Sequence, residues 1–414
     1  MSGRPRALLL LLAAAFLWGG APRALRAQAS PLTVEVITWG QGEPVWERFG
    51  HNAIRIRDAR TGSDLAYNWG MFDFNQPNFL GRFLSGDTKY WMEPTPTSLM
   101  VEFYQRLGRP AIIQRLNLSP AQAMQLQQFV EWNAREENKW YRYDYFLDNC
   151  STRLRDALDR ALGGQLRREW GGDTTRHTFR SEALRLVEGM PFTQQGMDIA
   201  LGRPADRAMT AWEEGYVPMR LRDRLRTVRI ASAGGATVPL VASEYEVAAT
   251  SQVTEAAAWP RHETRNLVIG ALVGLLFAFS AIRAGRDRRW GALLGGVGSL
   301  WAFVTGVLGV ILLLAWIATR HQFWYANENL LLVNPITLPL AVLIPLAVRR
   351  PRWGGPAFAI ATVNIVLACA ALLLKVDRAS QDNMGVIMLM FPMHVGMVLA
   401  TAQLRMPAAE RVTG

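Results

Sequence analysis

The sequence predicts an α+β extracytoplasmic domain followed by an all-α transmembrane bundle of five helices. Three observations predict it. The chain opens with an export signal. Residues 30–262 mix strand-like and helix-like patterns with many turn signals. After residue 262 the composition shifts to five apolar runs, each near the ~20 residues that cross a bilayer.

The leader reads "MSGRPRALLLLLAAAFLWGGAPRALRAQAS". Arg4 and Arg6 supply the positive start, residues 7–18 the apolar core, and Ala27-Gln28-Ala29 a small-x-small cleavage site. An uncut first transmembrane helix is the alternative, but the apolar core is too short for it. The expected division is therefore a signal peptide over 1–29, a soluble domain over 30–262, a transmembrane domain over 263–405 and a tail over 406–414.

In the soluble domain "VEVITWG" is β-branched and aromatic, and "NAIRIRD" puts Ile54 and Ile56 on one face of a strand. "DLAYNWGMFDF" reads as a third strand and turn, and "RPAIIQRLNL" as a further strand. "SPAQAMQLQQFVEWNAREEN" is a helix with Ser119 as cap and Pro120 at its first position, and Met124, Phe129 and Trp132 are its expected buried face. "STRLRDALDRALGG" repeats Leu154, Leu158 and Leu162 at helical spacing and stops at Gly163-Gly164.

The apolar runs cover about 267–283, 291–316, 330–348, 356–374 and 384–403. "RAGRDRRW" and "RRPRWGG" hold most of the nearby arginine, while "TRHQFWYANEN" and "KVDRASQDN" hold little positive charge. The positive-inside rule puts 283–290 and 349–355 in the cytoplasm, and so the soluble domain outside. The net charge of +11 comes almost wholly from Arg, since Lys occurs only at 89, 139 and 375. A basic balance suits nucleic acid or anionic lipid. No zinc-finger spacing, Walker loop or RNA-binding signature accompanies it, so nucleic acid is not an expected partner.

Cys150, in "DNCSTRLRDAL", is the only cysteine of the soluble domain, and the other, Cys369, lies in the fourth apolar run. A leftover exported cysteine is a reactive thiol, half of an intermolecular disulfide or an inert core residue. Its place at a helix start favours a thiolate. A cysteine nucleophile needs a base within reach, and a neutral imidazole suits that role. The histidines are His51, His177, His262, His321 and His394. His51, in "RFGHNAIRI", follows a glycine and opens a strand. His177 sits in a loop-like stretch, His262 abuts the membrane, and His394 reads as a packed polar residue of the last span. A lone strand histidine is most often structural; paired with "DNC" on a helix start, His51 is a candidate base.

The segments "FGHNAIRIRD", "YNWGMFDFNQPNF", "RYDYFLDNCSTRLRDAL" and "NENLLLVNP", with "DIALGRPADRAMTAWEEGYVPMRL" and the five spans, resemble the Lnb-type lipoprotein N-acyltransferase family over nearly the whole mature chain. The resemblance implies a permuted papain-like domain, in which the histidine strand precedes the cysteine helix. It implies a phospholipid acyl donor, a diacylglyceryl-cysteine lipoprotein acceptor, and a bacterial inner-membrane protein with its catalytic domain in the periplasm. Carried onto this sequence, Cys150 would take the acyl group as a thioester and His51 would move the protons, with no cofactor and no metal required.

A third group should orient the histidine. Asn68 in "YNWG" is the first candidate and Asp73 in "FDF" the second; both also suit turns. Donors for the oxyanion are the Cys150 backbone N–H, Asn149 or Tyr143. In the loop "TRHQFWYANENLLLVNP", His321, Asn327, Glu328 and Asn329 lie where a span enters the bilayer, and they would bind the phospholipid head group or the acceptor amine. Ordinary interface capping, with Trp324 and Tyr325 as belt anchors, is the competing reading. A periplasmic cysteine peptidase or amidase, a phospholipase and a non-enzymatic membrane receptor remain open alternatives to the transferase.

Overall fold

A computed structural model describes residues 30–232, 235–247, 253–377 and 380–406. The expected signal peptide and most of the expected tail lie outside the described residues. The first unit is built on a seven-stranded antiparallel sheet. Its strands are β1 (Leu32–Trp39), β2 (His51–Asp58), β3 (Ser63–Met71), β4 (Lys89–Pro96), β5 (Ala111–Leu116), β6 (Trp140–Arg142) and an edge strand Val241–Val247. The spatial order is edge strand, β5, β1, β2, β3, β4, β6. Four of these strands were legible in the sequence; β4, the three-residue β6 and the edge strand were not.

Side chains alternate across each strand, so the sheet has two apolar faces. On one, Val34, Val36, Ile54, Ile56, Tyr67 and Trp69 pack with Leu154 and Leu158 of the helix Cys150–Ala161. On the other, Ile37, Trp39, Ala53 and Ala66 pack with Met100 of the helix Thr97–Arg106. The helix Pro120–Asn133 starts where its sequence says, with a Ser119–Gln122 capping box. Its buried stripe is Ala123, Leu126, Val130 and Asn133, not the expected Met124, Phe129 and Trp132. Trp132 is 47% exposed, and the other two sit at the margin of the core. The largest side chains drew the expectation to the wrong face, while smaller residues at i, i+3, i+7 and i+10 face the sheet.

The second unit contains four helices long and apolar enough to cross a membrane: Glu263–Ala284, Arg288–Ala318, Pro351–Val376 and Met384–Arg405. The first and last approach so closely that a Cβ on Gly396 would collide with the Gly274 carbonyl. Small residues at such crossings let backbones touch. The third expected span is not one helix. Short turns over Glu328–Thr337 meet the helix Leu340–Arg349 at 51°. Asn334-Pro335 breaks it. Irregular backbone at this depth is tolerated only when protein covers it. Here Asn364 Oδ1 accepts from Asn334 Nδ2 and from Thr337 Oγ1, both at 2.9 Å, and His394 Nε2 lies 2.8 Å from the Leu332 carbonyl.

The loops of low positive charge are the ones that touch the sheet-containing unit. Gly202 N donates to Phe323 O at 2.7 Å, and Gln381 Nε2 donates to Leu201 O at 2.9 Å. The arginine-rich turns at 285–290 and 349–355 lie at the opposite ends of the spans, as the positive-inside rule requires.

Candidate active site

Cys150 is the first residue of its helix. Asn149 caps that helix: its Oδ1 accepts from Ser151 N at 2.9 Å and Thr152 N at 3.0 Å. Its Nδ2 donates to the carbonyls of Tyr145 and Tyr216. The Asn149 amide is thus fully engaged in holding the helix start, and does not serve as the oxyanion donor expected of it. The helix is tied to β2 by Asn52, whose Nδ2 donates to Ser151 Oγ at 3.0 Å, while Ser151 Oγ donates to Gly215 O at 2.7 Å. Neither Asn52 nor Ser151 was singled out in the sequence, although each adjoins a residue that was.

The thiol lies at the end of the sheet where β2 begins and β3 ends. Backbone N–H groups of Asn52 and Ser151 point at its sulfur. Gly70 interrupts the β3–β4 register, has φ +96°, and would place a Cβ 3.6 Å from that of Cys150. Both its backbone angle and the space it leaves suit glycine here. His51 is the first residue of β2, so its backbone directly precedes the Asn52 N–H that faces the sulfur. Among the described residues no hydrogen bond joins the sulfur to the imidazole.

The imidazole is held by a pair of stacked rings on one side and by an amide. Trp39 and Tyr104 stack on it with centroids at 5.8 and 6.0 Å. Nε2 lies 3.3 Å from Asn68 Oδ1. Asn68 is buried and donates Nδ2 to the Glu93 carbonyl at 3.0 Å, which fixes its amide with the oxygen toward the ring. An amide oxygen only accepts, so Nε2 carries the proton and Nδ1 keeps its lone pair. Asp73, the other orienting candidate, is exposed beyond the end of β3 and accepts from Asn75 N at 2.8 Å, so it forms a turn.

Burial dominates the titration of both groups. It lowers the His51 pKa to about 4, helped by the positive charge of Arg109 and opposed by the Asn68 hydrogen bond. It raises the Cys150 pKa to about 11, against the pull of the surrounding N–H groups and Arg109. The expectation of a resting thiolate at the helix start is corrected: desolvation outweighs the helix terminus. Both shifts favour a neutral thiol and a neutral imidazole over an ion pair. Arg109, also missed, is buried; its Nε and Nη2 donate to Gly40 O at 2.9 and 2.7 Å, and its guanidinium covers the Tyr104 ring at 4.7 Å.

Tyr143 packs beside Cys150 in the same core and stacks on Tyr90 at 4.3 Å. The membrane-entry residues are placed differently from the expectation. Asn327 Nδ2 donates to the carbonyls of Ile199 and Ala200 at 2.9 Å, and Asn329 Nδ2 to those of Asp198 and Ile199 at 3.0 Å. They satisfy carbonyls left open at the end of the helix Pro191–Ala200. Glu328 pairs with Lys375 at 2.9 Å and accepts from Gln381 N. His321 Nε2 lies 3.1 Å from Phe83 O. Asn327, Asn329 and His321 join the two units, Glu328 ties two loops of the transmembrane unit together, and among the described residues no hydrogen bond, ion pair or ring contact links any of the four to Cys150. His177, read as lying in a loop, sits on the short strand Thr174–Thr178 and pairs with Glu214. No group of three or more metal-ligating side chains gathers among the described residues.

A family profile described as "Lnb N-terminal periplasmic domain" matches residues 22–181. A second, "Lnb transmembrane domain", matches residues 267–404. No curated protein and no solved structure matches the chain.

Proposed function

The chain belongs to the Lnb family and is a multi-pass membrane protein with a periplasmic domain, and from that premise we propose that it is a lipoprotein N-acyltransferase of the bacterial inner membrane. Its acyl donor is a phospholipid and its acceptor the α-amine of a diacylglyceryl-cysteine lipoprotein. The carrying observation is that the thiol at its helix start, faced by the Asn52 N–H, and the imidazole held by a buried amide meet at the start of β2, in a unit whose loops touch the transmembrane loops. The histidine strand precedes the cysteine helix, the order of a permuted papain-like domain, which further supports the reading.

The chemistry runs in two halves. His51 Nδ1 takes the Cys150 proton as the sulfur attacks the ester carbonyl of the phospholipid. The C–S bond forms, the C–O bond breaks, and the imidazolium returns the proton to the departing lysophospholipid oxygen. In the second half the lipoprotein amine attacks the thioester, its proton passes through His51 to the leaving sulfur, and an amide remains. Asn68 holds the neutral ring with its proton on Nε2, so Nδ1 is ready to accept a proton at the start of each half. The Cys150 backbone N–H, which has no partner within the helix it opens, and the Tyr143 hydroxyl are the candidate donors to the oxyanion. Hydrogen bonds in such dyads commonly tighten only with substrate bound.

Incubation with acyl-labelled phospholipid should leave a hydroxylamine-sensitive label on the protein, absent in Cys150→Ser. Addition of a diacylated lipopeptide should then move the label to its amino terminus. Release as free fatty acid alone would replace the transferase with a phospholipase, and no label at all would remove both.

A further inference from the structure

The segment that follows β3 and precedes β4 has an unusual surface. It contains the helix Phe79–Ser85. Phe74 and Leu80 are each 67% exposed, Leu84 60% and Phe83 49%. The helix itself carries one charge, Arg82, whose Nε is turned back to the Asp87 carbonyl at 3.2 Å. Contiguous apolar surface of this kind on a water-facing domain marks a binding face.

Two independent observations identify the occupant. The first is position. Arg320 N donates to Ser85 O at 2.9 Å, and Gly86 (φ +73°) lies so close that a Cβ would stand 3.1 Å from the Arg320 carbonyl carbon. Arg320 lies two residues beyond Ala318, the end of the span Arg288–Ala318. The exposed helix is therefore fixed at the level where that span leaves the bilayer. The second is a continuous aromatic path inward. Phe83 stacks on Phe79 at 6.2 Å, Phe79 on Phe72 at 6.3 Å, Phe72 on Tyr90 at 5.1 Å, and Tyr90 on Tyr143 beside Cys150 at 4.3 Å.

We propose that the segment from Phe72 to Leu84 inserts into the outer leaflet and guides one acyl chain of a bilayer phospholipid along the Phe79–Phe72–Tyr90 rings to Cys150. Short amphipathic helices lie at this depth, with apolar side chains among the upper acyl carbons. A chain lying along the rings would bring its ester, the most polar part near it, to the sulfur. This deepens the transferase reading and rests on it for the chemistry, but not for the insertion.

The insertion is tested on the full chain in nanodiscs of phosphatidylethanolamine and phosphatidylglycerol. Leu80→Cys, in a Cys150→Ser, Cys369→Ser background, carries a polarity-sensitive dye. The expected result is a blue-shifted emission quenched by chain-brominated phospholipid; water-like emission untouched by bromine overturns the insertion. The guiding role is tested with Leu84→Glu, comparing thioester formation from bilayer phospholipid and from a short-chain phospholipid below its critical micelle concentration. The expected result is a drop of about tenfold or more on the bilayer donor alone, in line with placing a charge among acyl chains. Equal rates to the parent on both donors, or equal loss on both, overturn the guiding role. A parent protein labelled by neither donor removes the transferase reading, while the dye still decides on insertion.

Discussion

His51 and Cys150 are set by opposing forces whose balance is visible at single residues. Burial pushes the imidazole down to about 4 and the thiol up to about 11, and Arg109 lowers both. The active form needs a neutral imidazole, so protonation of His51 should switch the enzyme off. The acid limb of kcat/KM against pH is expected near 4 rather than near the ordinary histidine value, because kcat/KM reports the free enzyme. Arg109→Gln removes a charge that disfavours the imidazolium, so its acid limb should move to higher pH. Glutamine still offers an N–H to the Gly40 carbonyl. A limb that stays in place would detach Arg109 from the site. Much of this cluster was legible: a histidine opening a strand, an asparagine in "YNWG" and a cysteine on a helix start are local signals. Arg109 and Tyr104 were not, because they act through a helix packed on the far face of the sheet. Nothing in their own neighbourhood announces it.

Among the elements, the helix Cys150–Ala161 shows why a cap and an oxyanion donor are easily confused in a sequence. Both call for a polar side chain beside the nucleophile. Asn149 is fully spent as the cap, so Asn149→Ala should lower stability by about 1–2 kcal/mol. Thermal melting checks it, and activity should fall only with the folded fraction. A variant with the parent's melting temperature and a strongly reduced kcat would return Asn149 to the oxyanion. Element boundaries followed the local signals where those existed. Ser119-Pro120 and Gly163-Gly164 mark their helix ends as expected. The third span could not be read the same way. Its hydropathy fits a continuous helix, and its breaks depend on partners such as Asn364, which lies 30 residues from Asn334 in sequence. Three-residue β6 is likewise held by pairing with β4 and not by any pattern of its own.

For the molecule as a whole, the question is what fixes the sheet-containing unit on the transmembrane unit. Lys375 Nζ donates to Glu328 Oε2 at 2.9 Å and to Asn383 Oδ1 at 2.7 Å, and Asn383 Nδ2 reaches Asn329 Oδ1 at 2.7 Å. Asn327, Asn329 and Gln381 then hold the carbonyls at the end of Pro191–Ala200 and at Leu201. The sequence flagged Glu328 as a ligand for substrate because polar groups at a membrane entry are costly; the structure accounts for that cost by pairing. The side chains of Lys375 and Glu328 are only 14% and 11% exposed, so removing one partner strands the other. Glu328→Gln or Lys375→Met alone should destabilise docking of the two units by roughly 3–5 kcal/mol, and the double variant by clearly less than the sum. Protease cleavage rates between residues 253 and 262, with and without denaturant, would measure it. If Glu328→Gln instead abolished acyl transfer while leaving those cleavage rates unchanged, the loop would regain a role in binding substrate, and the junction of the two units would rest on the Asn327, Asn329 and Gln381 bonds and the Gly86–Arg320 contact without help from the ion pair.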